Sequence, residues 1–153
     1  MPKGGALFRG AHEHSIDDKG RTSVPAAFRE ILAARRDARL IVTPNFDDAT
    51  CLVAFPPPEW ETVWARIAAL PRFDDGAIRL RRLFVAEASE CAIDPQGRLL
   101  IPPLLRAHAG LEREIVWAGT GREMEIWDKR RWLEEQRRNR AERAAIVKPL
   151  PGL

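Results

Sequence analysis

Ile16-Asp17-Asp18-Lys19-Gly20-Arg21-Thr22-Ser23-Val24-Pro25 returns later in the chain as Ile93-Asp94-Pro95-Gln96-Gly97-Arg98-Leu99-Leu100-Ile101-Pro102, displaced by 94 − 17 = 77 positions. The correspondence continues into Phe28-Arg29 and Leu105-Arg106. Self-similarity at this spacing marks one structural unit occurring twice. Within each copy an Asp side chain can accept from amides further along a turn, and Gly20 or Gly97 can take the positive φ that a tight turn requires. Pro25 and Pro102 stand where a helix begins, since proline suits the first helical turn and no helix interior. A short helix through Phe28 and Ile31, or through Leu105, follows.

Outward from this motif, Leu40-Ile41-Val42 resembles Glu114-Ile115-Val116, and Phe55 to Trp60 resembles Trp127 to Trp132 at a shorter offset. The drift marks differences in loop length. Each half is predicted to run strand, tight turn, strand, short helix, hairpin and helix. One hairpin joins Leu40 to Thr43 with Cys51 to Phe55 around Asn45-Phe46-Asp47-Asp48; the other joins Ile115 to Ala118 with Met124 to Trp127 around Gly119-Thr120-Gly121. Trp60, Val63, Trp64 and Ile67 fall at i, i+3, i+4 and i+7, which predicts a helix packed on the core and ending before Pro71. The first half is assigned residues 6–70 and the second 84–133. A connector over 71–83 separates them, where Asp75-Gly76 opens a helix carrying Ile78, Leu80, Leu83, Phe84 and Val85 among Arg79, Arg81 and Arg82. A charged C-terminal helix and tail occupy 134–153, with Lys148 to Gly152 expected to fray.

A chain of 153 residues that is 45% hydrophobic can bury a real core. Its apolar stretches fall short of the roughly 18 residues of a membrane span, and Met1 to Gly5 lack the apolar run of a secretory signal, so a cytoplasmic protein without a membrane partner is expected. Cys51 and Cys91 have neither zinc-site spacing nor the density of a disulfide scaffold and read as buried thiols. His12 and His14 would share a strand face, with Cys91 in the place of His14. Two imidazoles and a distant thiol match no ligand pattern, so neither metal nor cofactor is expected. There is no Walker loop, Gly-x-Ser-x-Gly elbow, HExxH or Cys-His pair, which argues against an enzyme and against a small-molecule substrate. A net charge of +3 is compatible with nucleic acid without requiring it. Arg79, Arg81 and Arg82 read as a solvated face or as partners of Asp74, Asp75 and Glu87. The basic C-terminal helix likewise stays outside the candidate site.

His14 to Arg21, Phe28-Arg29, Ile93 to Arg98 and Ile126-Trp127-Asp128-Lys129 together make the chain resemble the bacterial MraZ family from about Phe8 to Trp132. The resemblance implies an α+β fold: tandem, pseudo-two-fold AbrB/MazE-like swapped-hairpin β-barrel halves with flanking helices. It implies a ring-shaped homo-oligomer. It also implies a sequence-specific regulator of transcription, with repression the expected output. Such a regulator binds direct repeats in double-stranded promoter DNA of the division and cell-wall gene cluster, its own gene included, at the nucleoid.

In such a fold Arg21 and Arg98 become cations held ready by Asp17 and Asp94, with Gly20 and Gly97 completing the turn scaffold. An arginine fork can grip two phosphate oxygens or the O6 and N7 of guanine; Lys19 supplies phosphate charge and Gln96 can reach a base edge. Arg9 and His14 lie close to the first loop in sequence and join the candidate DNA-binding set. The first loop is expected to dominate. Two other readings stay open: the motif is turn scaffolding with each Arg merely paired to its Asp, or the fold is a protein-binding module of the antitoxin type. With only +3 per chain, DNA affinity would need the avidity of many linked copies.

Overall fold

The computed structural model describes residues 6–47 and 50–153; Met1 to Gly5 and Asp48 of the first hairpin loop lie outside them. The first half runs β1 (Phe8–Ser15), β2 (Arg21–Ser23), α1 (Ala26–Ala34), β3 (Arg39–Pro44), β4 (Leu52–Phe55) and α2 (Pro57–Ala68). The helical connector α3 (Asp75–Leu80) is capped by the Asp74 side chain, which accepts from the Ala77 amide, and continues as a π-helical stretch over Arg81–Val85. The second half repeats the order with β5 (Ser89–Ala92), β6 (Arg98–Leu100), α4 (Pro103–Ala109), β7 (Glu114–Gly121), β8 (Met124–Asp128) and α5 (Lys129–Ala141), and α6 (Arg143–Val147) follows.

Six strands form one sheet in the order β1-β7-β8-β4-β3-β5, antiparallel throughout, while β2 and β6 pair as a separate two-stranded ribbon. Each half lends its first strand to the hairpin of the other, β1 to β7 and β5 to β3. Counterparts face one another at two places. Thr22 pairs with Leu99 (99 − 22 = 77), and Val53 pairs with Glu125 (125 − 53 = 72), so a pseudo-two-fold axis passes through both contacts. This is the tandem AbrB/MazE-like swapped-hairpin arrangement within a single chain. The ladders also correct one correspondence. His14 pairs with Ile115 and its counterpart Cys91 with Leu40, so Leu40 matches Ile115 and not Glu114. Aliphatic runs buried on both faces carry no period that would fix their register.

One sheet face and the ribbon enclose the main core. Leu40, Val42, Leu52, Ile115, Trp117, Met124 and Ile126 meet Val24, Leu99 and Ile101 from the ribbon strands and their flanks, with Phe28, Leu32 and Leu105 from α1 and α4. On the opposite face Cys51, Val116 and Trp127 pack with Trp132 of α5. Both cysteines are buried, as the sequence suggested, and desolvation pushes the Cys51 thiol up to about 12. Trp60 of α2 packs on Phe55 at 5.9 Å and its counterpart Trp132 on Trp127 at 5.7 Å, so the duplication is repeated in ring pairs.

Three expectations need correction. Gly119-Thr120-Gly121 is not the hairpin loop: β7 continues to Gly121 and the Thr120 amide donates to the Glu123 carbonyl at 3.0 Å, so the turn is Gly121-Arg122, with Gly121 at φ 111, and β1 provides ladder partners along the whole of β7, Gly10 facing Gly119. A Cβ on Gly119 would stand 2.3 Å from the Arg9 amide nitrogen, so glycine there permits the two strands to approach. Within α2, only Ile67 is fully buried and Trp64 remains 38% exposed, since the predicted stripe extends beyond the sheet it covers. Finally, the C-terminal segment is two helices with no fully buried residue, broken at Glu142.

Candidate nucleic-acid interface

The two motif turns have the same wiring. Asp17 Oδ1 accepts from the Lys19 and Arg21 amides, each at 2.9 Å, and Asp17 Oδ2 accepts from Arg21 Nε at 2.8 Å. Asp94 Oδ1 accepts from the Gln96 and Arg98 amides, again at 2.9 Å, and Asp94 Oδ2 accepts from Arg98 Nε at 3.1 Å. Gly20 and Gly97 close the turns at φ 91 and 78. One carboxylate thus fixes both the backbone and the guanidinium base. The amide donated by Arg21 is the largest reason that the Asp17 carboxyl is held down at about 2, below the ordinary 3.8, and the amide of Arg98 lowers Asp94 in the same way.

Ribbon geometry decides where the arginines point. Thr22 and Leu99 occupy the axis and are buried, so by strand alternation Arg21, Ser23, Arg98 and Leu100 line the outer face. Arg21 lies opposite Leu100 and Ser23 opposite Arg98, which makes the two arginines diagonal neighbours, roughly 7–8 Å apart at the backbone. Their side chains are 37% and 36% exposed. A two-stranded ribbon of this kind fits a DNA major groove, and its paired forks can meet phosphates or base edges.

The loops are not equivalent at their tips. Among the described residues, the Nη groups of Arg21 have no hydrogen-bond partner, whereas Arg98 Nη2 donates to Gln96 Oε1 at 3.3 Å. Gln96 is therefore engaged with its own arginine. Lys19 is exposed, and its ammonium makes no ion pair among the described residues. His14 is half-buried beside the first loop. Desolvation, and after it His12 and Arg29, lowers its pKa, which favours the neutral imidazole. Arg9 is not brought to the site: it pairs with Thr120 at the start of β1, eight residues or roughly 25 Å of strand from Asp17.

Two side chains outside the predicted set support the loops. Arg29 donates from Nε to the Val24 carbonyl at 3.0 Å and lies under Gly97; Arg106 donates to the Ile101 carbonyl at 2.9 Å and lies under Gly20. Each loop therefore rests on the helix of the other half. The repeated Phe28-Arg29 and Leu105-Arg106 pairs were the sequence signal for these positions, but a swapped contact cannot be read from one half. His12, edge-on to Phe28 at 4.9 Å, leaves a buried Nε2 without a hydrogen-bond partner among the described residues. Of the connector arginines, Arg79 pairs with Asp75 at 3.8 Å. No group of three His, Cys, Asp or Glu among the described residues has the proximity to hold a metal ion, and no helix among them is long and apolar enough to cross a membrane.

Comparison with known proteins gives this geometry a context. The MraZ protein family, described as antitoxin-like, matches the chain twice, over residues 7–83 and 84–148. A protein named Transcriptional regulator MraZ from Acidithiobacillus ferrooxidans is 46% identical over 129 residues, 82% of this chain and 85% of its own. Relatives of the same name from Solidesulfovibrio magneticus, at 44% over 88% of each chain, and from Halorhodospira halophila, at 38% over 95% of each, extend the similarity.

Proposed function

This chain belongs to the MraZ family, and we propose on that premise that it is a transcriptional regulator that binds DNA sequence-specifically through the β2–β6 ribbon. The observation that carries the reading is the outward pair of arginines, each fixed at Nε by its own aspartate and set diagonally across a two-stranded ribbon. Prior fixation lowers the entropy lost when a fork engages its target. The relatives are named as regulators and not as enzymes, which supports a non-enzymatic role.

The resemblance supplies the finer reading: a cytoplasmic, nucleoid-associated repressor acting as a ring on direct repeats before the division and cell-wall genes. Exposed Trp64, Phe73 and Leu83 offer apolar surface that self-association would cover. Many copies on repeated sites would raise a weak single-site affinity through effective concentration. The antitoxin-like description of the family keeps one second reading in play, a protein-binding module.

Fluorescence anisotropy separates them. The labelled probes are a promoter fragment with direct repeats and a scrambled fragment, titrated with the protein at two salt concentrations. Preferential, salt-weakened binding to the repeats is expected. Equal affinity for both fragments removes sequence-specific regulation, and absence of binding to either moves the chain to the protein-partner reading.

A further inference from the structure

Two residues beyond each motif arginine the repeat diverges. Ser23 follows Arg21 and Leu100 follows Arg98, at the 77-residue offset (100 − 77 = 23). Of the four side chains on the outer face of the ribbon, these are the two that differ between the halves. Leu100 is 55% exposed. It belongs to neither buried core, and a ribbon that accepts serine in one half does not need leucine in the other. The fold therefore gives no reason for an apolar side chain at this place.

A lone exposed leucine is ordinary on a protein surface. This one is set apart by its position. Arg21 and Leu100 are direct ladder partners, as are Ser23 and Arg98, so each motif arginine takes its cross-strand neighbour from the other half. Beside Arg21 that neighbour is a hydrocarbon whose Cβ lies about 5 Å away; beside Arg98 it is a hydroxyl. The Nη groups of Arg21 have no hydrogen-bond partner among the described residues. An open guanidinium and an exposed leucine thus stand together at one end of the ribbon.

Leu104, whose counterpart is Ala27, is also exposed, at 65%, but it stands on α4 and outside the ladder. A single leucine flanked by two guanidinium groups is not the patch of roughly several hundred Å² that marks the seat of a protein partner. It does match one feature of a DNA groove. Base edges in the major groove present hydrogen-bond donors and acceptors, which suit arginine and serine, and one apolar group, the C5-methyl of thymine. Phosphate offers a leucine nothing. Successive base pairs are separated by roughly 3.4 Å, so a side chain about 5 Å from Arg21 reaches the pair next to the one that Arg21 meets.

We infer that Leu100 is a specificity-determining residue of the DNA interface: it packs against a thymine methyl in the major groove, on the base pair next to the one met by Arg21. This rests on the DNA-binding reading above and adds which base feature is read, and from which end of the ribbon. Because Ser23 holds the same place beside Arg98, that end has no methyl requirement. The two ends of a pseudo-symmetric ribbon therefore read different steps of DNA.

The test uses the full chain and the direct-repeat promoter fragment in two forms, one with thymine and one with deoxyuridine at every thymine of the repeats. The exchange removes the methyl and keeps the base pairing. Affinities for both forms and for the scrambled duplex are measured by anisotropy across a salt series for wild type, Leu100→Ser, Leu104→Ser and Arg21→Ala. Circular dichroism and light scattering check fold and assembly. Wild type should bind the thymine form about fourfold more tightly per methyl contacted, the worth of one buried methyl group. Leu100→Ser should bind both forms as weakly as wild type binds the uracil form, and Leu104→Ser should behave as wild type. Since no charge is removed, the log–log salt slope of Leu100→Ser should stay that of wild type. Equal affinity of wild type for the two forms, while Arg21→Ala loses repeat binding, overturns the methyl contact and leaves the ribbon reading intact; this arm needs no substitution at Leu100. Discrimination that persists in Leu100→Ser, or that is lost in Leu104→Ser instead, also overturns the assignment. So does a change of assembly size in Leu100→Ser, which would give the side chain to contacts between copies. If wild type shows no preference for the repeats over the scrambled duplex, the sequence-specific DNA reading fails and the inference with it.

Discussion

The first motif loop and the second share a backbone, a carboxylate and an arginine, yet they differ in what surrounds them. Arg21 keeps its Nη groups open, while Arg98 spends one on Gln96. Behind the first loop β1 forms eight ladder pairs with β7; behind the second β5 forms four with β3. Duplication fixed the hydrogen bonds of the turn because the fold needs them twice, and it left the surface free to diverge. The turn is thus kept as scaffold in both halves while its surroundings differ.

The largest expected effect lies beneath the ribbon. Trp117 is fully buried and donates from its indole to Thr22 Oγ1 at 3.4 Å, where the counterpart pair is Val42 and Leu99. Trp117→Ala should lower the unfolding free energy by about 3–5 kcal/mol in chemical denaturation. Val42→Ala, which removes fewer buried atoms, should cost less; equal losses would mean that the two halves of the core are interchangeable.

Next come the motif glycines. A Cβ on Gly20 would meet the Ile101 carbonyl oxygen at 2.7 Å, a backbone atom that cannot swing aside, while a Cβ on Gly97 meets only the Arg29 side chain. Gly20→Ala should therefore destabilise by about 2–3 kcal/mol and Gly97→Ala by about 1–2, both within the range for strained positive-φ sites. The reverse order would break the comparison.

The aspartates give a pH signature. Asp17 is lowered in the folded protein, so its contribution to loop stability is complete above the ordinary carboxylate value of 3.8 and is lost as pH falls through about 2. An NMR titration should show the Asp17 carboxyl and the Lys19 amide moving together with a midpoint near 2. A midpoint near 3.8 would show the turn hydrogen bonds to be weak in solution.

The smallest effect concerns how the supporting helices end. The C-terminal turn of α4 uses Gly110 at φ 64, but the corresponding turn of α1 puts Arg36 at φ 57, with Asp37 and Leu111 donating back to Leu32 and Arg106 in matching caps. Arg36→Gly should raise stability by about 1 kcal/mol, since a left-handed non-glycine residue is strained. Unchanged or lower stability would mean that the Arg36 side chain offsets its backbone.

Much of this was legible in the sequence because turn chemistry is local. Asp17, Gly20, Asp94 and Gly97 announce their roles within five residues, and the 77-residue offset announces the duplication. Swapped contacts were harder: nothing near Gly97 says that Arg29 will lie beneath it, and nothing in β7 says that β1 will extend the strand to Gly121 and displace the expected turn. The exposure of Trp64 was hidden for a related reason, since helical spacing identifies an apolar face but not how far the opposing sheet reaches. Arg9 shows the converse error, because nearness in sequence along an extended strand is distance in space.

In DNA binding Arg21 should outweigh Arg98, which a double-mutant cycle in affinity measures directly. Wild type, Arg21→Ala, Arg98→Ala and the double variant would be titrated with a repeat-containing duplex at fixed salt, after denaturation curves show each to be folded. Arg21→Ala should weaken binding by about tenfold or more, in keeping with about 1–3 kcal/mol for a lost bidentate contact, and Arg98→Ala by clearly less. Equal losses, or a larger loss at Arg98, would contradict the asymmetry that the open and the occupied guanidinium groups imply.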